Sequence, residues 1–147
     1  MKSIKAVVGA ALIVALVSAC ATVPTYPMRD GTPADIEGGA FVGYRYYQEG
    51  QLLQRNTVEN VLLTYDETAG MVASSKRSMR IGGVLMIPGT VFLTLGLVAN
   101  LFEAYGAGIG FSLVSLGFYG ASMPFFMRSE RQLAGAVSVY NGIVAFE

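Results

Sequence analysis

Residues 81–127 read IGGVLMIPGTVFLTLGLVANLFEAYGAGIGFSLVSLGFYGASMPFFM, a run of 47 in which Glu103 is the only charge. Split at Glu103, the run gives Ile81–Phe102 and Ala104–Met127, segments of 22 and 24 residues. Each reaches the roughly 20 apolar residues that a helix needs to cross a bilayer. The connection from Asn100 to Gly106 is short, so the two helices are expected to be antiparallel neighbours. A soluble domain would have to cover all of this apolar surface, and the rest of a 147-residue chain is too small to do so. Composition agrees: 53% of the residues are hydrophobic and 14% charged, against about 25% charged in an average soluble domain.

Small residues are patterned within the run. Gly82, Gly89 and Gly96 recur every seven residues in the first helix, and Gly106, Gly110, Gly117 and Ala121 share a face of the second. Between lipid-bathed helices there is no hydrophobic drive to associate, so close backbone approach along small side chains supplies the packing energy. These six glycines are therefore the expected helix-packing residues. At 100° per residue, Ser112, Ser115, Tyr119 and Ser122 lie opposite Gly110 and Gly117, with Phe111, Phe118 and Phe125 between. If the glycine face packs inside, this hydroxyl stripe faces outward. It then either returns its hydroxyls to preceding carbonyls or forms an interface with a partner. Pro88 and Pro124 are expected to bend or end their helices.

The N-terminus fixes the expected address. MKSIK is a short basic start, Ala6–Val17 an uncharged run of twelve, and Val17-Ser18-Ala19-Cys20 follows. Twelve residues suit the apolar core of a signal peptide better than a span. The tetrapeptide resembles the lipobox of bacterial lipoproteins: an aliphatic residue, two small residues and a cysteine. That resemblance implies cleavage after residue 19 and acylation of Cys20 with palmitate-type chains. Each buried CH₂ of those chains contributes about 0.8 kcal/mol to anchoring. Position 21 is Ala rather than Asp, which in enteric lipoproteins implies transfer to the outer membrane. A lipobox followed by a glycine-rich hairpin is also similar to the glycine-zipper lipoproteins of the outer membrane. Those repeat the GxxxG step, whereas here Gly106-x-x-x-Gly110 stands alone.

Between anchor and hairpin, residues 20–40 contain Pro24, Pro27 and Pro33 among Gly and polar residues and are expected to be a flexible tether. Residues 41–80 are expected to form a small periplasmic region. Phe41–Tyr47 reads as a strand and Glu49-Gly50 as a turn, while Gln51–Tyr65 and Asp66–Arg80 read as helices. Tyr44 and Tyr46 would share one strand face, available to a partner or lying in the aromatic belt at headgroup level. Lys76, Arg77, Arg80, Arg128 and Arg131 flank the hairpin and are expected to meet lipid headgroups. With Cys20 and both hairpin ends on the periplasmic side, these cations oppose the positive-inside rule. Either the hairpin inserts into the outer membrane after export or the lipobox is overridden, and the first exit agrees with Ala21. Residues 128–147 are expected to be a separate C-terminal helix ending near Gly142 rather than a hairpin about Asn141-Gly142.

The chemistry of an enzyme is missing from the sequence. There is no His, and the lone Cys is assigned to lipid. No phosphate-loop, dinucleotide or zinc-protease pattern occurs. Asp66 and Glu67 are adjacent, so on a helix they diverge. No metal site, cofactor or small-molecule substrate is expected. Loss of Lys2 and Lys5 would leave eight basic and ten acidic side chains, which gives no case for nucleic acid. The expectation is a mainly α, lipid-anchored membrane protein with a two-helix hydrophobic hairpin and a small periplasmic helical region. Its expected role is a structural envelope lipoprotein that self-associates through the hairpin. The alternative is an accessory or docking subunit of an envelope transport or secretion complex.

Overall fold

The computed structural model describes residues 24–146, of which 68% are helical. The expected leader, Cys20 and Ala21 lie outside the described residues. The elements run β1 (Asp35–Gly39), β2 (Gly43–Gln48), β3 (Gln51–Leu52), α1 (Arg55–Leu62), α2 (Asp66–Leu101) and α3 (Tyr105–Val144). At 1.5 Å per residue, α2 and α3 are rods about 54 and 60 Å long. They lie antiparallel and joined by Phe102–Ala104, with Glu103 at φ 64° in the turn.

Both rods are long and apolar enough to cross a membrane, with mean hydropathies of 2.0 and 1.4 over their most apolar windows. Only 17% and 11% of those windows are buried, so most of their apolar surface is left uncovered by the described residues. Ile87, Leu97, Leu113 and Leu116 are among the side chains left facing outward. The rods exceed the thickness of a hydrocarbon core, about 30 Å, and their surplus length is amphipathic and carries every charged residue of α2 and α3. Asp66–Arg80 of α2 and Arg128–Val144 of α3 form the floor of a small head.

The head is built on a three-stranded antiparallel sheet in the order β1-β2-β3. Ile36 pairs with Tyr46 and Tyr47 with Leu52. Glu49 (φ 54°) and Gly50 (φ 77°) make the two-residue connection between β2 and β3, the left-handed pair that matches strand twist. Tyr46, Leu53, Val58, Leu62, Val72, Leu133, Ala136, Val137 and Tyr140 make one core with Met28 and Ala34. Tyr65 meets Tyr140 edge to face, with ring centroids 5.2 Å apart.

Three sequence expectations are corrected. The second half of the expected tether is structured: Asp35–Gly39 is a strand, Met28 and Ala34 are buried, and the Tyr26 N–H donates to the Leu52 carbonyl at 2.8 Å. Prolines and glycines had diluted the side-chain pattern there, but strand pairing is made by backbone groups. The expected helix from Gln51 starts only at Arg55, because the Leu53 N–H is taken by the Tyr46 carbonyl at 2.7 Å. The expected division between a hairpin at 81–127 and flanking helices is absent, and both rods run unbroken from head to tip. Pro88 and Pro124 lie inside them. Each removes one hydrogen-bond donor, yet neither ends its helix.

Candidate functional site: the helix seam and the neck

The seam between the rods is a double heptad of small residues. On α2 it comprises Thr68, Ser75, Gly82, Gly89 and Gly96, all buried. On α3 it comprises Gly108, Ser115, Ser122, Ser129 and Ala136, also buried. A seven-residue repeat on helices of 3.6 residues per turn drifts about 20° per repeat, a mismatch that left-handed coiling of a helix pair takes up. A methyl group added at Gly82 would come within 3.1 Å of the Phe126 ring, and one at Gly89 within 3.1 Å of the Phe118 side chain. At Gly96 it would meet the Ser112 hydroxyl at 2.8 Å and the Gly108 carbonyl at 3.0 Å. Phe92 stacks on Phe111 and Phe118 along the seam's flank, at 6.1 and 5.9 Å.

Gly82, Gly89 and Gly96 thus face the partner helix, while Gly106, Gly110 and Gly117 do not. An added methyl at any of these three meets nothing within 4 Å. The face of α3 turned inward is the hydroxyl face that the sequence reading placed outside. Ser115 and Ser122 are 1% and 2% exposed, and Ser112 is half-buried against Gly96. Tyr119 reaches Thr90, with their hydroxyl oxygens 3.2 Å apart. The cause is phase. Because α3 is continuous, Leu133, Val137 and Tyr140 must face the head core, and at 100° per residue this fixes Ser129, Ser122 and Ser115 on the same side. Most of the hydroxyls are accommodated by carbonyls of their own turn or of the facing rod. Ser112 donates to the Gly108 carbonyl at 2.9 Å, Ser122 to the Tyr119 carbonyl at 2.8 Å, and Ser75 to the Ser129 carbonyl at 2.9 Å. The Ser115 hydroxyl has no partner.

At the neck, where head meets hairpin, one ion cluster joins four elements. Arg55 of α1 donates from Nε to Glu59 at 2.9 Å and from Nη1 to Glu130 of α3. It also donates from Nη2 to the Ser129 hydroxyl at 3.1 Å. The second Glu130 oxygen accepts the Tyr44 N–H of β2 at 3.1 Å, and Lys76 of α2 lies 3.5 Å from Glu59. Burial works against the Arg55 charge, but its hydrogen bonds to Glu59 and Glu130 more than reverse this, and the guanidinium is held above its ordinary range. Burial, then the charge of Glu130, pushes the Tyr46 phenol well above its ordinary range. Sequence reading missed Arg55, Glu59 and Glu130, which are far apart in the chain and carry no motif.

Tyr46 is no docking residue, since it is 3% exposed and belongs to the core, and Tyr44 packs against that core. The exposed aromatic surface of the sheet is instead Phe41 at the β1–β2 tip. Arg77, Arg80, Arg128 and Arg131 are exposed and form a cation band around the neck, with Lys76 partly drawn into the ion cluster. A shallow cleft in this band is lined by Met71, Pro124, Met127, Arg128, Arg131 and Gln132. Among the described residues no group of three or more acidic, His or Cys side chains is placed to hold a metal. Comparison with protein-family models, with curated proteins and with solved structures found no match for this chain.

Proposed function

We propose that this chain is a structural lipoprotein of the bacterial cell envelope, acylated at Cys20, whose helical hairpin enters the outer membrane. On this reading the head stands in the periplasm and the hairpin associates with copies of itself. Support for insertion comes from two rods with outward apolar side chains and an exposed cation band at one end of the apolar length. Cations at that level meet the phosphates of headgroups.

The observation that carries self-association is the division of the glycines. Gly82, Gly89 and Gly96 are used within the chain, whereas Gly106, Gly110 and Gly117 form a second small-residue face with open space before it. Close approach of a second helix there would bring the packing gain that a lipid-facing bulky residue does not. Acyl chains alone suffice to anchor the chain, so a hairpin serves some further purpose, and assembly fits that face. The docking-subunit alternative has lost its tyrosine surface to the head core.

Two variants separate the glycine faces. Gly117→Leu leaves the seam untouched and is expected to abolish oligomers in mild detergent while far-ultraviolet circular dichroism stays unchanged. Oligomers that persist in Gly117→Leu and in Gly110→Leu would sink self-association by this face. Density-gradient fractionation of wild type beside Cys20→Ser, with mass analysis of the mature N-terminus, tests the anchor. An unmodified chain starting at Met1 would refute it.

A further inference from the structure

The β1–β2 hairpin ends in GGAFVG, residues 38–43, and presents Phe41 and Val42 at 78% and 88% exposure. Two adjacent bulky apolar side chains at a turn cost solvation unless something covers them. Their position is set by two fixings of the hairpin to α3. Asn141 clasps the backbone of Ala34 from both sides, accepting from its N–H at 2.8 Å and donating to its carbonyl at 2.7 Å. Eleven residues nearer the membrane end of α3, Glu130 accepts the Tyr44 N–H, and Tyr44 is paired with Gly38. From Asn141 to Glu130 the helix covers about 16 Å, and from Ala34 to Gly38 the strand covers about 13 Å. The hairpin therefore runs alongside α3, pointing toward the apolar length of the rods.

The tip extends past Gly38 and Tyr44 by a further two or three residues. That places Phe41 and Val42 about one helical turn beyond Glu130, level with Met127 and Arg128. This is where the apolar stretch ends and the cation band of Arg77, Arg80, Arg128 and Arg131 begins. The turn is made for exposure to such a boundary. Gly38 (φ 103°) and Gly43 (φ 85°) take conformations other residues rarely adopt, and the Val42 N–H is satisfied by the Gly39 carbonyl at 3.2 Å. A donor already bonded within the turn adds no desolvation cost when the tip enters headgroups.

We propose that Phe41 and Val42 form a third membrane contact, a wedge that buries in the interfacial layer of the same leaflet that the rods enter. The occupant of this exposed surface is lipid, because the patch stands at the height where the apolar length of the rods ends and the cation band begins. The inference rests on the membrane reading of the rods, and the test keeps the two apart. The chain contains no Trp, so a single introduced Trp reports one place. Phe41→Trp, Leu113→Trp on the exposed side of α3 and Phe146→Trp at the far end of the head are each reconstituted in phosphatidylcholine–phosphatidylglycerol vesicles. Bromines are carried at shallow or deep acyl positions.

The expected result is blue-shifted Phe41→Trp emission that loses intensity to shallow bromines more than to deep ones. Leu113→Trp should be quenched by deep bromines and Phe146→Trp by neither. Phe41→Trp emission as red and as unquenched as Phe146→Trp, with Leu113→Trp still quenched, overturns the wedge while leaving the rods in the membrane. An unquenched Leu113→Trp overturns the membrane reading and the wedge with it.

Discussion

The Tyr46 hydroxyl is buried without a hydrogen-bond partner, beside the Glu130 carboxylate that its ionised form would repel. An unmade hydrogen bond in the core costs about 1–3 kcal/mol, so Tyr46→Phe is expected to be neutral or stabilising by about 1 kcal/mol. Denaturant titration in micelles reads the difference. The same burial gives alkaline sensitivity a sign. Below about pH 10 the phenol is neutral in both folded and unfolded chains. Above it the unfolded chain releases the proton while the folded chain holds it, so stability falls as pH rises. Tyr140, fully buried and also shifted upward chiefly by burial, adds to this fall. Tyr46→Phe should therefore flatten the alkaline limb of a melting-temperature profile, and an identical limb in both proteins would refute this account. Glu130→Ala leaves Arg55 with one carboxylate and the Tyr44 N–H with none. The expected cost is about 2 kcal/mol, at the low end for breaking a shielded pair because Glu59 remains. Glu130→Gln, which keeps an acceptor, should cost less.

At the scale of elements, the two glycine faces make opposite predictions. Gly89→Leu must push Phe118 and the backbone of α3 away, opening the seam over more than one heptad. It is expected to lower the thermal midpoint of the helical signal by many degrees, with Gly117→Leu within about 0.5 kcal/mol of wild type. Ser115→Ala removes an unpartnered hydroxyl from the seam and should leave stability equal or slightly higher. The two apolar helices, their short connection and the Glu49-Gly50 turn were legible in the sequence, because uncharged length and a left-handed turn pair are local signals. The inward face of α3 was legible only in part. Leu133, Val137 and Tyr140 read correctly as one side of a helix, but treating residues 128–147 as a separate element cut the phase relation to Ser129, Ser122 and Ser115. Glycine then looked the better packing residue on size alone. Strand β1 was illegible for another reason: Asp35–Gly39 offers one large apolar side chain, and its pairing comes from β2.

For the whole molecule, continuity of the rods is the governing fact. The head has no hinge to the hairpin, since the same two helices supply the head's floor and the apolar length. The Arg55 cluster fastens α1 and β2 to that floor, while Asn141 and Glu130 fix the direction of the β1–β2 hairpin. A head expressed without residues 81–127 would lose the covalent link between its two floor helices. Its core residues Val72 and Leu133 would then be brought together only by the sheet and α1. Such a deletion, closed by a short linker, is expected to show near-native strand content but a broad, weakly cooperative melt.

The double heptad also carries an ambiguity of register. Sliding α3 past α2 by seven residues would again set small side chains against small side chains, so the seam resembles a ruler whose marks are all alike. The choice among these alignments belongs to the two ends of the rods. Three residues at the tip allow little slack, and the mixed bulk of Val72, Leu133, Val137 and Tyr140 interlocks at the other end in one arrangement. A chain severed between Phe102 and Ala104 should accordingly stay paired in its original alignment, with the head acting as the latch. Enlarging Ala136, the last small residue on the α3 side, would loosen that latch and free the rods to slip a notch.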